Sequence, residues 1–220
     1  MVTKQQEKFA GFELGTGAII RSGNKFVFAI QKPKRWKQKK GKLTIPYTGI
    51  GGQVEPNETP EKALTREIRE EASTGSRIVH AKKTTLIKGK IVRDTTVKSS
   101  KKPAAIYLPN PKEKKAIFIY HTKLHKTPKP ADNPALIYLT PRQIADTIRR
   151  QVPLHELLKN GAKLIAKTQI PPSAIITPYG TPRVMPKIIR AQSRLKNPIK
   201  KKIMGFISPK TYKSIHRYHK

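Results

Sequence analysis

GGQVEPNETPEKALTREIREEAST runs from Gly51 to Thr74 and gathers six of the chain's thirteen acidic residues between Glu55 and Glu71. The rest of the chain leans the other way. Over 220 residues, 47 Lys and Arg oppose 13 Asp and Glu, for a formal charge of +34. The second half of the stretch reads as a helix. Thr59 can cap it, Pro60 suits its first position, Glu61 favours the positive end of the dipole, and Gly75 is a plausible terminator. With Leu64 at zero on a helical wheel, Ile68 and Ala72 fall at about 40° and 80°, a narrow core stripe. Glu71, Glu67 and Glu70 fall at about −20°, −60° and −120°, an adjoining carboxylate stripe. Lys62, Arg66, Arg69 and Ser73 take the other side. One short helix thus carries an apolar, an acidic and a basic face.

Three carboxylates this close repel one another, and their charge is costly unless cations share the site. Hard oxygen ligands match Mg²⁺ or Mn²⁺. Such an ion can bridge phosphate oxygens, polarise them and activate water. The plainer alternative is a solvent-facing acidic stripe with Lys or Arg partners, which glutamate's helix propensity favours when three glutamates stand alone. The preceding glycine pair and the helix-start signals shift the balance toward chemistry.

The stretch resembles the Nudix box. That family pattern is a glycine, five residues, a glutamate, seven residues, then Arg-Glu, an aliphatic residue, any residue, Glu-Glu, any residue, glycine and an aliphatic residue. Gly52 begins it here, Glu58 follows after five residues, and Arg66-Glu67-Ile68-Arg69-Glu70-Glu71 follows after seven more. The ending departs: Ser73 stands where the glycine belongs and Thr74 where the aliphatic residue belongs. The resemblance covers about Phe12 to Ile170. It implies an α/β/α sandwich with a mixed central sheet and hydrolysis of a diphosphate linkage in a nucleotide or nucleotide derivative, with Mg²⁺ or Mn²⁺. By the same resemblance Glu67, Glu70 and Glu71 are the metal carboxylates, with Glu67 either a ligand or an orienter of the hydrolytic water. The Gly51 carbonyl is the backbone ligand, Arg66 orients the carboxylates, and Glu58 braces the loop against the helix. Many members add an acidic residue from a downstream loop. The downstream acids here are Asp94, Glu113, Asp132, Asp146 and Glu156, of which Asp94 and Glu113 suit loop placement.

Organisation follows from pattern. Apolar residues make up 36% of the chain, enough for an ordinary core. Strands are expected over 14–30, broken at Ser22-Gly23, then over Arg77–Gly89, Ala116–Leu124 and Ala135–Leu139. Helices are expected after Thr140 and from about Val152 to a stop at Gly161. The folded domain is expected at residues 8–170. Residues 171–220 are read as a Pro-containing linker and a basic C-terminal extension, since no acid follows Glu156. The chain has no cysteine, so disulfides and thiolate chemistry are excluded. No apolar run approaches the roughly 20 residues of a membrane span, and the N-terminus lacks a signal-like apolar region. A cytoplasmic protein is the expectation.

The basic residues suggest partners. Lys32 to Lys42 reads as a solvated loop whose cations can meet a phosphate-bearing ligand. Trp36 within it can stack on a base but fits local packing better, and Tyr47 can line a pocket or sit buried in a strand. A second basic run from Lys82 to Lys102, with the tail, is compatible with nonspecific RNA or DNA association. His121 and His125 lie on a strand-like segment, where their spacing is weak evidence for zinc. A homodimer is compatible with the family resemblance. The leading reading is a Nudix-type pyrophosphohydrolase. The alternative is a Nudix-fold RNA-binding or ribonucleoprotein module with weak or no catalysis.

Overall fold

The computed structural model describes residues 9–97, 99 and 101–196. Among these described residues, thirteen strands form one sheet: β1 (Glu13–Ser22), β2 (Lys25–Ile30), β3 (Lys37–Lys39), β4 (Lys42–Thr48), β5 (Ser76–Val79), β6 (Thr84–Lys88), β7 (Ile91–Thr95), β8 (Ala105–Leu108), β9 (Lys115–Leu124), β10 (Ala135–Leu139), β11 (Val152–Pro153), β12 (Lys163–Ala166) and β13 (Ile175–Pro178). The helices are α1 (Pro60–Ala72), α2 (Pro141–Arg149), α3 (Leu154–Lys159) and α4 (Thr181–Lys196). The sheet is mixed. β1 runs parallel to β9 from Glu13↔Lys115 to Ile20↔Thr122, and antiparallel to β2 through the turn at Gly23.

Alternation along the strands feeds two cores. On β2, Phe28 and Ile30 face one side, and Val27 and Ala29 the other. Helix α1 covers the second side with Leu64, Ile68 and Ala72. Helices α2, α3 and α4 cover the first with Ile144, Leu154, Leu157, Val184, Met185 and Ile188. This is the expected α/β/α sandwich. Helix α2 begins with the Thr140 capping box, its Gln143 side chain accepting from the Thr140 N–H at 2.9 Å.

Three expectations need correction. The segment after residue 170 is not a linker at its start: β13 pairs in parallel with β4 from Ile175↔Thr44 to Pro178↔Tyr47, and α4 packs behind it. Thr181, at the head of α4, fills space left by two glycines; a Cβ on Gly49 would stand 2.8 Å from the Thr181 Cβ. Residues 197–220, the most basic part of the expected extension, lie outside the described residues. Next, Arg77–Gly89 is two strands, with β5 pairing with β9 and β6 with β7 and β8. Finally, the Lys32–Lys42 segment is partly ordered by a 3-10 turn over Pro33–Arg35 and by β3, which pairs with β4.

Helix α1 starts as its sequence suggests, with the Thr59 side chain accepting from the Lys62 N–H. It ends before Gly75. Ser73 takes the left-handed conformation, φ 51°, and donates its N–H to the Arg69 carbonyl. A left-handed turn strains any residue with a Cβ, and Gly relieves that strain at some entropic cost. Ser73→Gly is therefore expected to stabilise the fold by about 0.5–1 kcal/mol, read as a higher urea midpoint at unchanged slope. Among the described residues, no helix is long and apolar enough to cross a membrane.

Candidate active site

The loop before α1 is pinned along β1. Ala18 N–H donates to the Ile50 carbonyl, Thr16 N–H to Gly52, and Val54 N–H to Leu14, all at 2.8–2.9 Å. Close approach dictates the glycines. Gly51 has φ 144°, and a Cβ there would lie 2.8 Å from the Gly17 Cα. A Cβ on Gly52 would lie 2.5 Å from the Glu67 carboxyl carbon. The two glycines thus let the loop lie between the central strand and the acidic face of α1.

Arg66 is the hub of that face. Its Nε and Nη2 donate to Glu58 at 3.2 and 3.1 Å, its Nη1 to Glu67 at 2.9 Å and to Glu70 at 3.3 Å, and its Nη2 also to the Gln53 carbonyl at 3.2 Å. The hydrogen bonds to Arg66 hold the Glu58 carboxyl below the usual carboxylate range. They raise the Arg66 guanidinium further above its ordinary value, Glu58 contributing most. Glu67 behaves differently. It is only 15% exposed, and burial pushes its carboxyl up despite the neighbouring Arg66.

Glu71 lies deeper and accepts from the Gly51 N–H at 3.0 Å. Burial pushes its carboxyl up to about 7, against the opposing pull of the Asn133 amide and the Gly51 N–H. The Asn133 Nδ2 is buried and has no hydrogen-bond partner among the described residues. Glu70 is 48% exposed and faces solvent.

The structure therefore brings Gly51, Arg66, Glu67, Glu70 and Glu71 into one unit, with Glu58 as its brace. Glu67 and Glu70 turn toward Arg66 while Glu71 turns toward the Gly51 N–H. Among the described residues, no group of three or more His, Asp or Glu side chains is arranged to hold a metal ion.

The loop before β10 caps the end of α1. Lys129, Ala131 and Asp132 donate their N–H groups to the carbonyls of Ala72, Glu71 and Glu70. Asp132 also pairs with Lys32 at 3.7 Å. Asp132 is thus the downstream acid placed beside the box. Asp94 instead pairs with Lys83 on the β6–β7 hairpin, and Glu113 accepts from the Asn110 amide. Sequence reasoning missed Asn133; its only signal was the turn-forming run Asp132-Asn133-Pro134.

The other candidates fall on the plainer side. Trp36 packs against the core and donates its Nε1 to the Gln31 carbonyl. Tyr47 is fully buried, bonded to Thr147 at 2.8 Å, and burial raises its hydroxyl's pKa. His121 pairs with Gln192 of α4.

The NUDIX domain family model matches residues 11–170. The chain belongs to the Nudix family. A search of curated proteins finds no match. Among solved structures, a Nudix-family hydrolase from Clostridium perfringens is 14% identical, covering 61% of this chain and 85% of its own, at a TM-score of 0.42. The E. coli ORF135 protein is 19% identical, covering 60% and 78%, at 0.36. A Nudix hydrolase family member from Chromobacterium violaceum is 15% identical, covering 84% and 79%, at 0.35.

The Nudix loop makes one test local. Gly52→Ala would drive a methyl against the Glu67 carboxyl, the mobile end of a side chain, with no left-handed strain. Displacing a positioned group by about 1 Å can cost ~100-fold in rate. Gly52→Ala is expected to lower turnover by about that factor while the melting temperature stays near wild type. Turnover and melting falling together would instead show the loop to be structural.

Proposed function

We propose that this Nudix protein hydrolyses a diphosphate linkage in a nucleotide or nucleotide derivative, using Mg²⁺ or Mn²⁺. The observation that carries the reading is the single unit formed by Arg66 with Glu58, Glu67 and Glu70, with Glu67 pressed against Gly52. The donor set fits a hard divalent ion: its oxygens are carboxylate and carbonyl. Burial also leaves Glu67 and Glu71 reluctant to ionise, and a cation offsets that cost. Glu67, Glu70 and Glu71, with the Gly51 carbonyl, would hold the ion. Bound there, it supplies charge neutralisation on the diphosphate oxygens and a more acidic water.

The chain's own groups do the rest. Arg66 fixes where Glu67 and Glu70 point, and Glu58 fixes Arg66. Asp132, held over the end of α1, is the acid best placed to take a proton from an incoming water. Lys32, beside it, offers a charge to a substrate phosphate.

The second reading is a Nudix-fold RNA-binding or ribonucleoprotein module with weak or no catalysis. The charge of +34 favours it, as does the turning of the carboxylates onto Arg66 and Gly51 rather than onto one point. The test is product analysis over nucleotide sugars, dinucleotides, nucleoside triphosphates and 5′-triphosphate RNA, with Mg²⁺ or Mn²⁺ and with chelator. Metal-dependent cleavage of any of these supports the hydrolase. No cleavage across the panel, with tight salt-sensitive RNA binding, supports the second reading.

A further inference from the structure

The basic face of α1 is not used by the proposed chemistry, apart from Arg66. It opens on a cleft of about 750 Å³ between the helix, the start of β5 and Lys101. Lys62, Arg69, Arg77 and Lys101 line it and are exposed. None of the four makes an ion pair among the described residues. Two acids line it as well: Glu70, at its border with Arg66, and Glu61, which accepts from the Ser99 hydroxyl at 2.9 Å and from the Tyr120 hydroxyl at 3.2 Å. Those hydroxyls are neutral, and the lining of five basic and two acidic side chains carries a net excess of three positive charges around one open cleft.

A second observation points to a ligand with acceptor oxygens. The Ser76 hydroxyl lies in the same wall, buried and without a hydrogen-bond partner among the described residues. Buried hydroxyls without partners are uncommon and call for an explanation.

The lining also says what the ligand is not. No aromatic side chain lines the cleft among the described residues, so bases have nothing to stack on. Cations without rings suit phosphates rather than bases. The cleft meets the candidate active site at Arg66 and Glu70, which border both. An anion lying in it is therefore continuous with one held at the box.

We propose that this cleft binds the phosphodiester backbone of a single-stranded oligonucleotide whose 5′-di- or triphosphate end reaches the Nudix box. The proposal deepens the hydrolase reading by naming its substrate class, and its binding step stands without turnover. Lys62, Arg69 and Arg77 each contact a backbone phosphate, and the base sequence goes unread.

The test is fluorescence anisotropy of a 3′-labelled 12-nucleotide RNA bearing a 5′-triphosphate, titrated with the full chain in chelator so that no metal-dependent cleavage occurs. Lys62→Ala, Arg69→Ala and Arg77→Ala together are expected to weaken binding at least 10-fold. They should also flatten the dependence of log affinity on log salt by about 2 units, since each phosphate contact on a single strand contributes ~0.7. Arg69→Lys with Arg77→Lys should bind close to wild type, which separates charge from folding. A control removing two exposed cations elsewhere, Lys112→Ala with Lys159→Ala, should bind within about 2-fold of wild type. Equal weakening in that control would overturn the proposal in favour of a general positive field. Efficient displacement of the strand by inorganic triphosphate at matched phosphate concentration would overturn it in favour of a compact polyphosphate site. Because chelator is present throughout, loss of the hydrolase reading would appear only in the product assay.

Discussion

Glu70→Gln is expected to abolish most turnover and leave the fold nearly untouched. Glu70 stands half exposed on the acidic stripe of α1, one turn after Arg66 and 3.3 Å from its guanidinium. As an exposed pair at that spacing, the contact is worth only about 0.3–0.5 kcal/mol. The melting temperature should therefore shift by no more than a few degrees. The chemical loss is larger. The amide has the same shape but no charge, so it neither neutralises a divalent ion nor matches Glu67 in balancing Arg66. Groups one step removed from a metal already cost ~10–100-fold when lost, and a direct ligand should exceed that. Substrate binding should stay measurable. Near-normal turnover in the variant would remove Glu70 from the ligand set.

Removing residues 171–220 should leave a chain that does not fold. Residues 175–188 contribute Ile176, Val184, Met185 and Ile188 to the core beneath β4, each almost wholly buried. Losing one such side chain costs about 2–5 kcal/mol, and whole domains are stable by only about 5–15 kcal/mol. Four together consume that margin before the exposed edge of β4 is counted. A chain ending at Lys196 should instead melt cooperatively near the wild-type temperature. Circular dichroism melts of the two truncations decide the point. A cooperative melt in the shorter chain would restore the boundary at residue 170.

That boundary shows where reading a sequence stops short. PSAIITPYG, residues 172–180, is short and studded with proline and glycine. Nothing local distinguishes it from a linker, because its reason to be a strand is β4, more than 120 residues earlier. Helix α4 is similar. Pro186 lies inside it, a local argument against a helix that packing against the sheet outweighs. The C-terminus of α1 went the same way on a smaller scale. Gly75 looked like the stop, yet Ser73 takes the left-handed turn because the loop at 129–132 claims the last carbonyls of the helix.

What could be read from the chain alone was whatever depends on near neighbours. The three faces of α1, its Thr59 cap and the Thr140 capping box all follow from spacings of three, four and seven residues. So does the Nudix box, since Gly52, Glu58, Arg66, Glu67, Glu70 and Glu71 occupy one loop and one helix. Tertiary structure alone decided the rest: Asp132 rather than Asp94 or Glu113 beside the box, Asn133 against Glu71, the closing of the sheet by β13, and the cleft joining α1 to Arg77 and Lys101. Those contacts join residues far apart in sequence. Strand register and shared burial determine which distant residues meet, and neither leaves a mark on composition or spacing.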